Sequence, residues 1–417
     1  MGNARGIRSS RSRIATTAKA AAMALAVVFA ATIVTGTAAH AQTFSLIHSF
    51  DGPDGGNPKA GLTIDRGGKI YGSTWSGFFG FGWGSVFQLR PYQEGFIFDI
   101  VQLYDGQPID RPVIGPNGTL YGTNQNMIVT YKAGYVWNLR PPLSVCQTVR
   151  CMWNSTVLYG WDTIGSTGGT PLGATLVFDQ AGNIYGTTSA GGSGNGVVYE
   201  LTTAGVQTPI YTFAGTPDGA MPYSGLIFDT TGNLYGVTEA GGASGKGAIY
   251  ELSPNGQGGW SEQVIYSFTG GNDGSTPFGG LVFDSAGNLY GTTASGGTGG
   301  GGTAFELSPN GNNWNLSTLY SFAGSANCGP RAELSFDTAG NLYGTTFCDG
   351  SLSDGSVFEL TNSGGSWSYT SLHDFADGTD GRFPISNVAF DASGRMYGTT
   401  SIGGMFGQGN VWRITTQ

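Results

Sequence analysis

The sequence predicts an all-β fold: a seven-bladed β-propeller of four-stranded antiparallel blades, with the N-terminal strand closing the last blade. Three observations support this prediction. A phrase containing Tyr-Gly recurs seven times, each copy carries several short strand patterns, and the N-terminal segment matches the strand that the last copy lacks. Repeats of about fifty residues without a helical pattern are typical of propeller blades.

The recurring phrase is clearest at residues 280–293, where Gly-Leu-Val-Phe-Asp-Ser-Ala-Gly-Asn-Leu-Tyr-Gly-Thr-Thr indicates a strand, a tight turn and a second strand. A Gly three residues before each Tyr predicts a backbone position with positive φ. An Asp three residues earlier, in six of the seven copies, predicts hydrogen bonds to the turn backbone. The tyrosines of the seven copies are Tyr71, Tyr121, Tyr185, Tyr235, Tyr290, Tyr343 and Tyr397.

The fifth copy predicts the strands of one whole blade. Its first two strands are expected at 281–283 and 289–293, the third at 303–307, a turn at 308–311 and the fourth strand at 316–322. The last copy ends after its third strand, and residues 44–50 resemble the fourth strand of the other copies. A closed ring therefore explains the chain better than an open solenoid, which would need polar caps at both ends.

The first 41 residues have the pattern of an export signal. A basic segment is followed by an apolar stretch at 20–34 and by Ala39-His40-Ala41, a small-residue cleavage site before Gln42. An uncleaved membrane anchor is the alternative, but the apolar stretch is short for a membrane span. We expect a signal peptide at 1–41 and a propeller at 42–417. The mature protein should be secreted, periplasmic or at the cell surface, without a membrane span.

The charge balance excludes two classes of partner. Removal of residues 1–41 leaves 13 basic and 27 acidic residues, a net charge of −14. Nucleic acids and anionic membranes both require clustered Lys and Arg, so neither is expected. A polysaccharide or an extracellular protein remains as the expected partner, and we expect a monomer.

Four cysteines in an exported chain predict two disulfides. Cys146 and Cys151 lie in one insertion of the second copy, and Cys328 and Cys348 flank the core phrase of the sixth. These two local pairings are favoured over the other two connectivities.

The repeated phrase, followed by Gly-Gly and then by Val/Phe-Glu-Leu, resembles the GloVer tandem repeat of exported bacterial proteins described as "choice-of-anchor". The resemblance covers residues 44–417. It implies an extracytoplasmic, propeller-like protein without an assigned activity, and it supplies no catalytic residues. Family members named for their anchors end in an anchoring segment, which this sequence lacks.

Histidine-based catalysis and a multi-histidine metal site are not expected. The mature chain keeps only His48 and His373, and each occupies an outer position of a fourth strand. No cofactor is expected. Recurring Asp-Gly pairs leave a Ca²⁺ ring open as an alternative to plain turn chemistry. The aspartates concerned are Asp51, Asp54, Asp105, Asp218, Asp273, Asp377 and Asp380.

The copies differ most in the three residues between a proline and the first strand, which propeller geometry places at the mouth of the central channel. Most copies have small or apolar residues there, such as Phe-Gly-Gly at 278–280. In a chain with only 11% charged residues, a polar cluster at this position predicts either a ligand pocket or a salt-bridge plug. The candidates are Lys59, Asp110, Arg111, Arg331, Glu333 and Asn387.

The glycine loop of the first blade is unusually aromatic. Together with its ring neighbour, the seventh blade, it predicts an exposed platform for a polysaccharide or a protein, or else packing over the closure of the ring. The residues are Trp75, Phe78, Phe79, Phe81, Trp83 and Phe406.

These observations favour a non-enzymatic binding or structural module. The alternative is a propeller enzyme (a lyase, a lactonase or a glycoside-acting hydrolase) that uses Asp110, Arg111, Arg331 and Glu333. A surface spacer without any ligand is a third possibility.

Overall fold

A computed structural model describes residues 42–77, 83–104, 106–108, 110–127, 133–142, 152–173 and 175–416. These residues form seven four-stranded antiparallel blades arranged in a ring, which confirms the predicted seven-bladed propeller. The helical structure in this part of the chain is a single 3-10 turn at Pro116–Gly118.

The two inner strands of each blade are short. The first strands, nearest the ring axis, are Thr63–Ile64, Val113–Ile114, Val177–Phe178, Ile227–Phe228, Val282–Phe283, Ser335–Phe336 and Ala389–Phe390. The second strands are Ile70–Thr74, Leu120–Met127, Ile184–Thr188, Leu234–Thr238, Leu289–Thr293, Leu342–Thr346 and Met396–Thr400.

The two outer strands are longer in most blades. The third strands are Gly84–Tyr92, Tyr135–Arg140, Val197–Leu201, Ala248–Pro254, Gly300–Asn310, Ser356–Ser363 and Asn410–Thr416. The fourth strands of the first six blades are Gly95–Tyr104, Asn154–Gly160, Gln207–Thr212, Trp260–Ser267, Asn313–Ala323 and Ser366–Asp374. Two short additions, Gly106–Pro108 and the pair Gly219–Ala220 with Ala240–Gly241, lie beside blades two and four.

The seventh blade is completed by the N-terminal strand, as predicted. Gln42–Ser49 pairs antiparallel with Asn410–Thr416, so that Phe44 faces Ile414 and His48 faces Val411. Both ends of the described chain are therefore hydrogen-bonded into one blade, which closes the ring and leaves no open edge there.

The predicted turn between the first and second strands is present in the blades. In the fifth blade, Asp284 accepts hydrogen bonds from the backbone N–H of Ala286 at 2.8 Å and of Asn288 at 2.9 Å. Its other oxygen accepts from the hydroxyl of Tyr290 at 3.2 Å. Gly287 has φ of +87°, a conformation that glycine adopts without strain. The repeated Asp and Gly are thus explained by the turn alone.

The glycine of each Tyr-Gly pair is required by packing. A Cβ atom added at Gly291 would lie 2.6 Å from the Phe305 ring of the third strand, and the same conflict with a third-strand aromatic ring recurs in all seven blades. A glycine on the second strand therefore allows a large ring on the third strand to lie flat in the core. Phe305, like Trp412 of the seventh blade, is completely buried.

Threonines of the second strands tie each blade to the next. The Thr292 hydroxyl donates to the carbonyl of Ala332 at 3.2 Å, and the Thr345 hydroxyl donates to the carbonyl of Ser386 at 2.9 Å. The accepting carbonyls belong to the segment between the proline and the first strand of the following blade. These bonds fix the position of the segment that surrounds the central channel.

One predicted turn is wrong. Residues 308–311 were expected to connect the third and fourth strands of the fifth blade, but Pro309 pairs with Trp314 and Asn310 with Asn313. The connection is shorter, and Gly311 adopts φ of +63° within it. A two-residue hairpin loop is enough because Gly takes the positive φ that such loops require, so the strands extend through the expected turn.

Cys328 and Cys348 form a disulfide, as predicted. Cys146 and Cys151 lie outside the described residues. No helix in the described part of the chain is long and apolar enough to cross a membrane.

Candidate functional site

The segment between the proline and the first strand of each blade, called here the mouth segment, has alternating burial. In the sixth blade Pro330, Ala332 and Leu334 are buried, whereas Arg331 and Glu333 are half-buried. Extended backbone directs successive side chains to opposite sides, so the half-buried positions point toward the ring axis. The first and third residues after each proline therefore determine the chemistry of the channel mouth.

A cavity of about 360 Å³, called here the central cavity, lies at this mouth. Its volume is within the range of about 300–1,000 Å³ that small-molecule sites occupy. Mouth segments of all seven blades contribute to its lining. The six polar residues singled out in the sequence all line it: Lys59, Asp110, Arg111, Arg331, Glu333 and Asn387.

An ion pair crosses the channel at the base of the central cavity. Nη2 of Arg111, in the second blade, donates to Oε2 of Glu333, in the sixth blade, at 3.3 Å. These blades are nearly opposite each other in the ring. Arg111 and Asn387 also line a second cavity of about 410 Å³ beside the first strands. Arg111 and Asn387 thus line both cavities, whereas Glu333 lines the central cavity alone of the two.

Asp110 and Asn387 are held in the wall. Asp110 is only 2% exposed, and its Oδ2 accepts a hydrogen bond from the Thr123 hydroxyl. Asn387 is 7% exposed, and its Oδ1 accepts from the backbone N–H of Leu62 at 3.1 Å. Both side chains are therefore bonded to neighbouring parts of the ring.

Lys59 and Arg331 project into the cavity and are stacked on aromatic rings. Nζ of Lys59 lies 3.6 Å from the centroid of the Trp75 ring. The Arg331 guanidinium lies 4.1 Å from the Phe347 ring and 5.5 Å from the Phe278 ring. Such cation–π contacts orient the cations as well as stabilising them. Burial lowers the pKa of both groups, because loss of water disfavours the charged form.

Several residues at the cavity were missed in the sequence analysis. Tyr223 and Gln125 line the cavity, and Glu239 lies close enough to Arg331 to interact electrostatically with it. Burial raises the pKa of Glu239, and Arg331 opposes this shift. Glu239 directly follows its second strand, and Gln125, inside the longer strand Leu120–Met127, occupies the equivalent place four residues after the repeated Tyr. Trp75 holds this place in the first blade and Ala294 in the fifth. A comparison of the seven copies at this position, like the comparison of their mouth segments, would have identified Gln125 and Glu239.

The described residues of the predicted aromatic platform lie in different places in the structure. Trp75 is half-buried in the cavity wall, whereas Trp83 and Phe406 are 38% and 54% exposed on loops. Phe78, Phe79 and Phe81 lie outside the described residues. Trp75 therefore belongs with Lys59 and the central cavity.

The aspartates of the Asp-Gly pairs that the structure describes form hydrogen bonds or ion pairs with residues close to them in the sequence. Asp218 accepts from the backbone N–H of Ala214 at 2.8 Å and from the Tyr211 hydroxyl at 3.0 Å. Asp105 lies outside the described residues. Among the described residues, no group of three or more His, Cys, Asp or Glu side chains is arranged to hold a metal ion.

Both histidines lie on the outer strands, as expected, rather than at the mouth. His48 contacts Asp54 at 2.7 Å and stacks on Phe98, and His373 contacts Asp380 at 3.1 Å. They occupy the places where other blades have a tyrosine bonded to the equivalent aspartate, so their surroundings are those of structural outer-strand residues.

The Gloeobacter/Verrucomicrobia repeat matches residues 12–226, 109–259 and 257–417. The chain belongs to this repeat family. The match confirms the GloVer resemblance that the repeated phrase indicated. No curated protein matches the chain in sequence.

The chain is similar to several solved structures at low identity. The extracellular domain of a proposed hybrid two-component system of B. thetaiotaomicron is 13% identical with a TM-score of 0.53, over 89% of this chain and 40% of that longer chain. A proposed oxidoreductase (glucose dehydrogenase) of Thermus thermophilus is 14% identical with a TM-score of 0.43, over 90% of this chain and all of that chain. AofleA of Arthrobotrys oligospora is 12% identical with a TM-score of 0.45, over 79% and 90% of the two chains. At these identities the likeness concerns the fold alone.

Proposed function

We propose that this protein is an exported, non-enzymatic binding module whose central cavity holds a short saccharide or the end of a polysaccharide chain. The observation that carries the proposal is one cavity that combines exposed aromatic faces with fixed polar groups. Carbohydrates present apolar ring faces and hydroxyl edges, and such a cavity matches both. At about 360 Å³ it has room for roughly one or two sugar rings.

The aromatic part of the cavity is suited to stacking. Tyr223 and Phe278, from adjacent blades, both line it, and their ring centroids are 5.8 Å apart at an angle of 48°. Both are half-buried, so part of each ring stays accessible. Tyrosine and phenylalanine also lose little conformational entropy when a ligand packs against them.

The same geometry supports catalysis less well. A general acid or base must reach the proton that it transfers. The Glu333 carboxylate is engaged by Arg111, and Asp110 is buried in the wall against Thr123. A lyase, lactonase or glycoside-acting hydrolase would need one of these carboxylates released, or would have to use Glu239 beside Arg331, so binding is the better proposal.

Export is proposed from residues 1–41, which lie outside the described residues. The Cys328–Cys348 disulfide supports it, because disulfides persist mainly outside the cytoplasm. The mature protein would then act at the cell exterior, as a monomer.

The test is calorimetric titration of the purified secreted protein with a panel of oligosaccharides, with product analysis of each mixture. We expect at least one saccharide to bind without being converted. Phe278→Ala and Tyr223→Ala should each weaken binding about two- to tenfold, the value of an aromatic contact of about 0.5–1.5 kcal/mol.

Tyr92→Ala is the matched control, because Tyr92 is 56% exposed on an outer hairpin away from the cavity. The proposal fails if no saccharide binds, or if the cavity variants bind like the control. A product that disappears in Glu333→Gln would instead establish the enzyme alternative.

A further inference from the structure

The wall of the central cavity has two different halves. The residue after the proline is Leu172, Tyr223 and Phe278 in blades three, four and five. The equivalent residues are Arg331 in blade six and Lys59 in blade one, with Ile385 between them in blade seven. An apolar half therefore faces a half that carries two cations.

Within the described residues, the two cations have no carboxylate partner at ion-pair distance. The ion pairs within the described residues include Arg111 with Glu333 at the base of the cavity, but none contains Lys59 or Arg331. Both cations contact aromatic rings, and Arg331 also donates to the Asn327 carbonyl, and these contacts attract a cation without neutralising it. In a charge-poor, acidic chain, two half-buried cations of this kind in one cavity are an attractive site for an anion.

The charged groups around the cavity also bear on its ligand. Three cationic side chains line it, together with the carboxylates of Asp110 and Glu333, and Glu239 interacts electrostatically with Arg331. Glu333 is paired with Arg111, and burial raises the pKa of Glu239, which disfavours its charged form. Among the described residues, Lys59 and Arg331 are therefore the lining cations outside an ion pair.

The Arg331 guanidinium is preorganised by contacts within the protein. Nη2 donates to the backbone carbonyl of Asn327 at 2.9 Å, and the guanidinium lies against Phe347. Asn327 and Phe347 directly precede the disulfide partners Cys328 and Cys348. The disulfide thus joins the residues that directly follow Asn327 and Phe347 and restricts the two groups that orient the guanidinium, so little order must be gained when a ligand binds.

We propose that the ligand of the central cavity is an acidic sugar, with its carboxylate bound by Lys59 and Arg331 and its ring packed against Tyr223 and Phe278. This inference rests on the proposed saccharide-binding function and specifies its ligand class. A guanidinium and an ammonium bind a carboxylate through charge-assisted hydrogen bonds. Such bonds are stronger than those available to a neutral sugar.

The experiment compares oligogalacturonate with its methyl ester, in which a methyl group replaces the negative charge of each carboxylate, and with a neutral oligosaccharide of the same length. We expect the acid to bind the full-length secreted protein roughly 10- to 100-fold more tightly than the ester, the value of a charged hydrogen bond. Added salt should weaken binding of the acid and leave binding of the ester unchanged.

Arg331→Met and Lys59→Met remove each charge and keep an apolar stem. Each variant should lose most of the preference for the acid while still binding the ester. Arg382→Met is the matched control, because Arg382 also lies over a phenylalanine, at 4.8 Å from the Phe383 ring, but does not line the cavity. It should keep the full preference. Thermal unfolding of all three variants identifies any that fails to fold.

The inference is overturned if the ester binds as tightly as the acid, or if the preference survives in both Arg331→Met and Lys59→Met. Binding of the neutral oligosaccharide together with weaker binding of the acid would overturn the acidic ligand but keep the saccharide-binding function. Binding of glycolate as tightly as the acidic sugar would show a simple carboxylate site and overturn the sugar specificity. If no sugar binds, both proposals fail.

Discussion

Two regions of the repeat behave in opposite ways. The turn between the first and second strands has the same Asp and Gly in nearly every blade, and in each case those residues bond to the turn itself. The mouth segment differs from blade to blade, and its variable side chains point into one shared cavity. The constant region stabilises each blade separately, whereas the variable region builds a site that no blade contains alone.

This comparison indicates which residues of a repeat protein contribute to stability and which contribute to binding. A residue shared by all copies performs a task that each copy needs, such as the turn at Asp284 or the packing space at Gly291. A polar residue present in one copy only, such as Arg331, has no such task in the blade. Changes in the first class should affect stability, and changes in residues of the second class that lie in the mouth segment should affect binding.

The largest effect is expected where the two regions are connected, at the disulfide. Cys328→Ser together with Cys348→Ser should lower the free energy of unfolding by about 3 kcal/mol, because the bond closes a loop of about twenty residues in the unfolded chain. It should also weaken binding of an acidic sugar, since Asn327 and Phe347 would no longer be joined beside Arg331. Denaturant unfolding and calorimetric titration measure the two effects. Reduced stability with unchanged affinity would show that Arg331 is oriented without the disulfide.

An intermediate effect is expected from the constant turn. Asp284→Ala removes hydrogen bonds to two backbone N–H groups and to the Tyr290 hydroxyl, and should cost about 1–2 kcal/mol. Binding in the cavity should stay unchanged. Phe278→Ala, in the same blade, is the matched variant and should weaken binding with a smaller loss of stability. The distinction between the two regions is wrong if both variants alter both properties equally.

The smallest effect is a pH dependence on the outer strands. Glu262 pairs with Leu252, at a position where blades one and seven place Phe98 and Phe44. Burial raises the pKa of Glu262 from 4.5 to about 7, Asp218 adds to the shift, and the Tyr211 hydroxyl opposes it. Between these two values the folded protein keeps a proton that the unfolded chain has lost. The contribution of this proton to the free energy of unfolding is therefore fully present below about pH 4.5 and is lost as the pH rises through about 7.

Glu262→Gln should remove this decline. After allowance for the solvent exposure of the side chain, we expect the variant to be about 1 kcal/mol more stable than the unmodified protein at about pH 8.5. The two proteins should be equally stable near pH 4.5. Thermal unfolding at both values measures the difference, and a difference independent of pH would contradict the assigned protonation. This result would also show that a copy-specific polar residue away from the mouth affects stability rather than binding.

Much of the fold was predictable because its determinants are local. The turn at Asp284 and Gly287 depends on residues close together in the chain, and the strand Leu289–Thr293 lies where its pattern placed it. The Cys328–Cys348 disulfide spans a single copy of the repeat. The turn expected at 308–311 was wrong because an exposed hairpin can continue for a few more residues without changing the core.

The candidate site was predictable only as a set of positions. Lys59, Arg331 and Glu333 were recognised because they occupy equivalent places in different copies, and equivalent places in a ring face the same axis. Tyr223 was missed because an aromatic residue at that place also occurs in the fifth copy, and Glu239 was missed because the place after the second strand lies outside the mouth segment. The sequence left Trp75 open between an exposed platform and packing over the closure of the ring, and in the structure its ring centroid lies 3.6 Å from the Lys59 ammonium.

The sequence by itself determined the number of blades, the closure of the ring by the N-terminal strand, the hairpin turn and the local disulfide. Each follows from residues that interact within one copy or from the match between the two ends of the chain. Only the tertiary structure decided that Arg111 pairs across the channel with Glu333, which is 222 residues away in the sequence. It also decided that, among the described residues, Lys59 and Arg331 have no carboxylate partner at ion-pair distance. The physical reason is that charge pairing across the ring depends on which blades lie opposite each other and on how far each side chain reaches. The sequence of a single repeat determines neither.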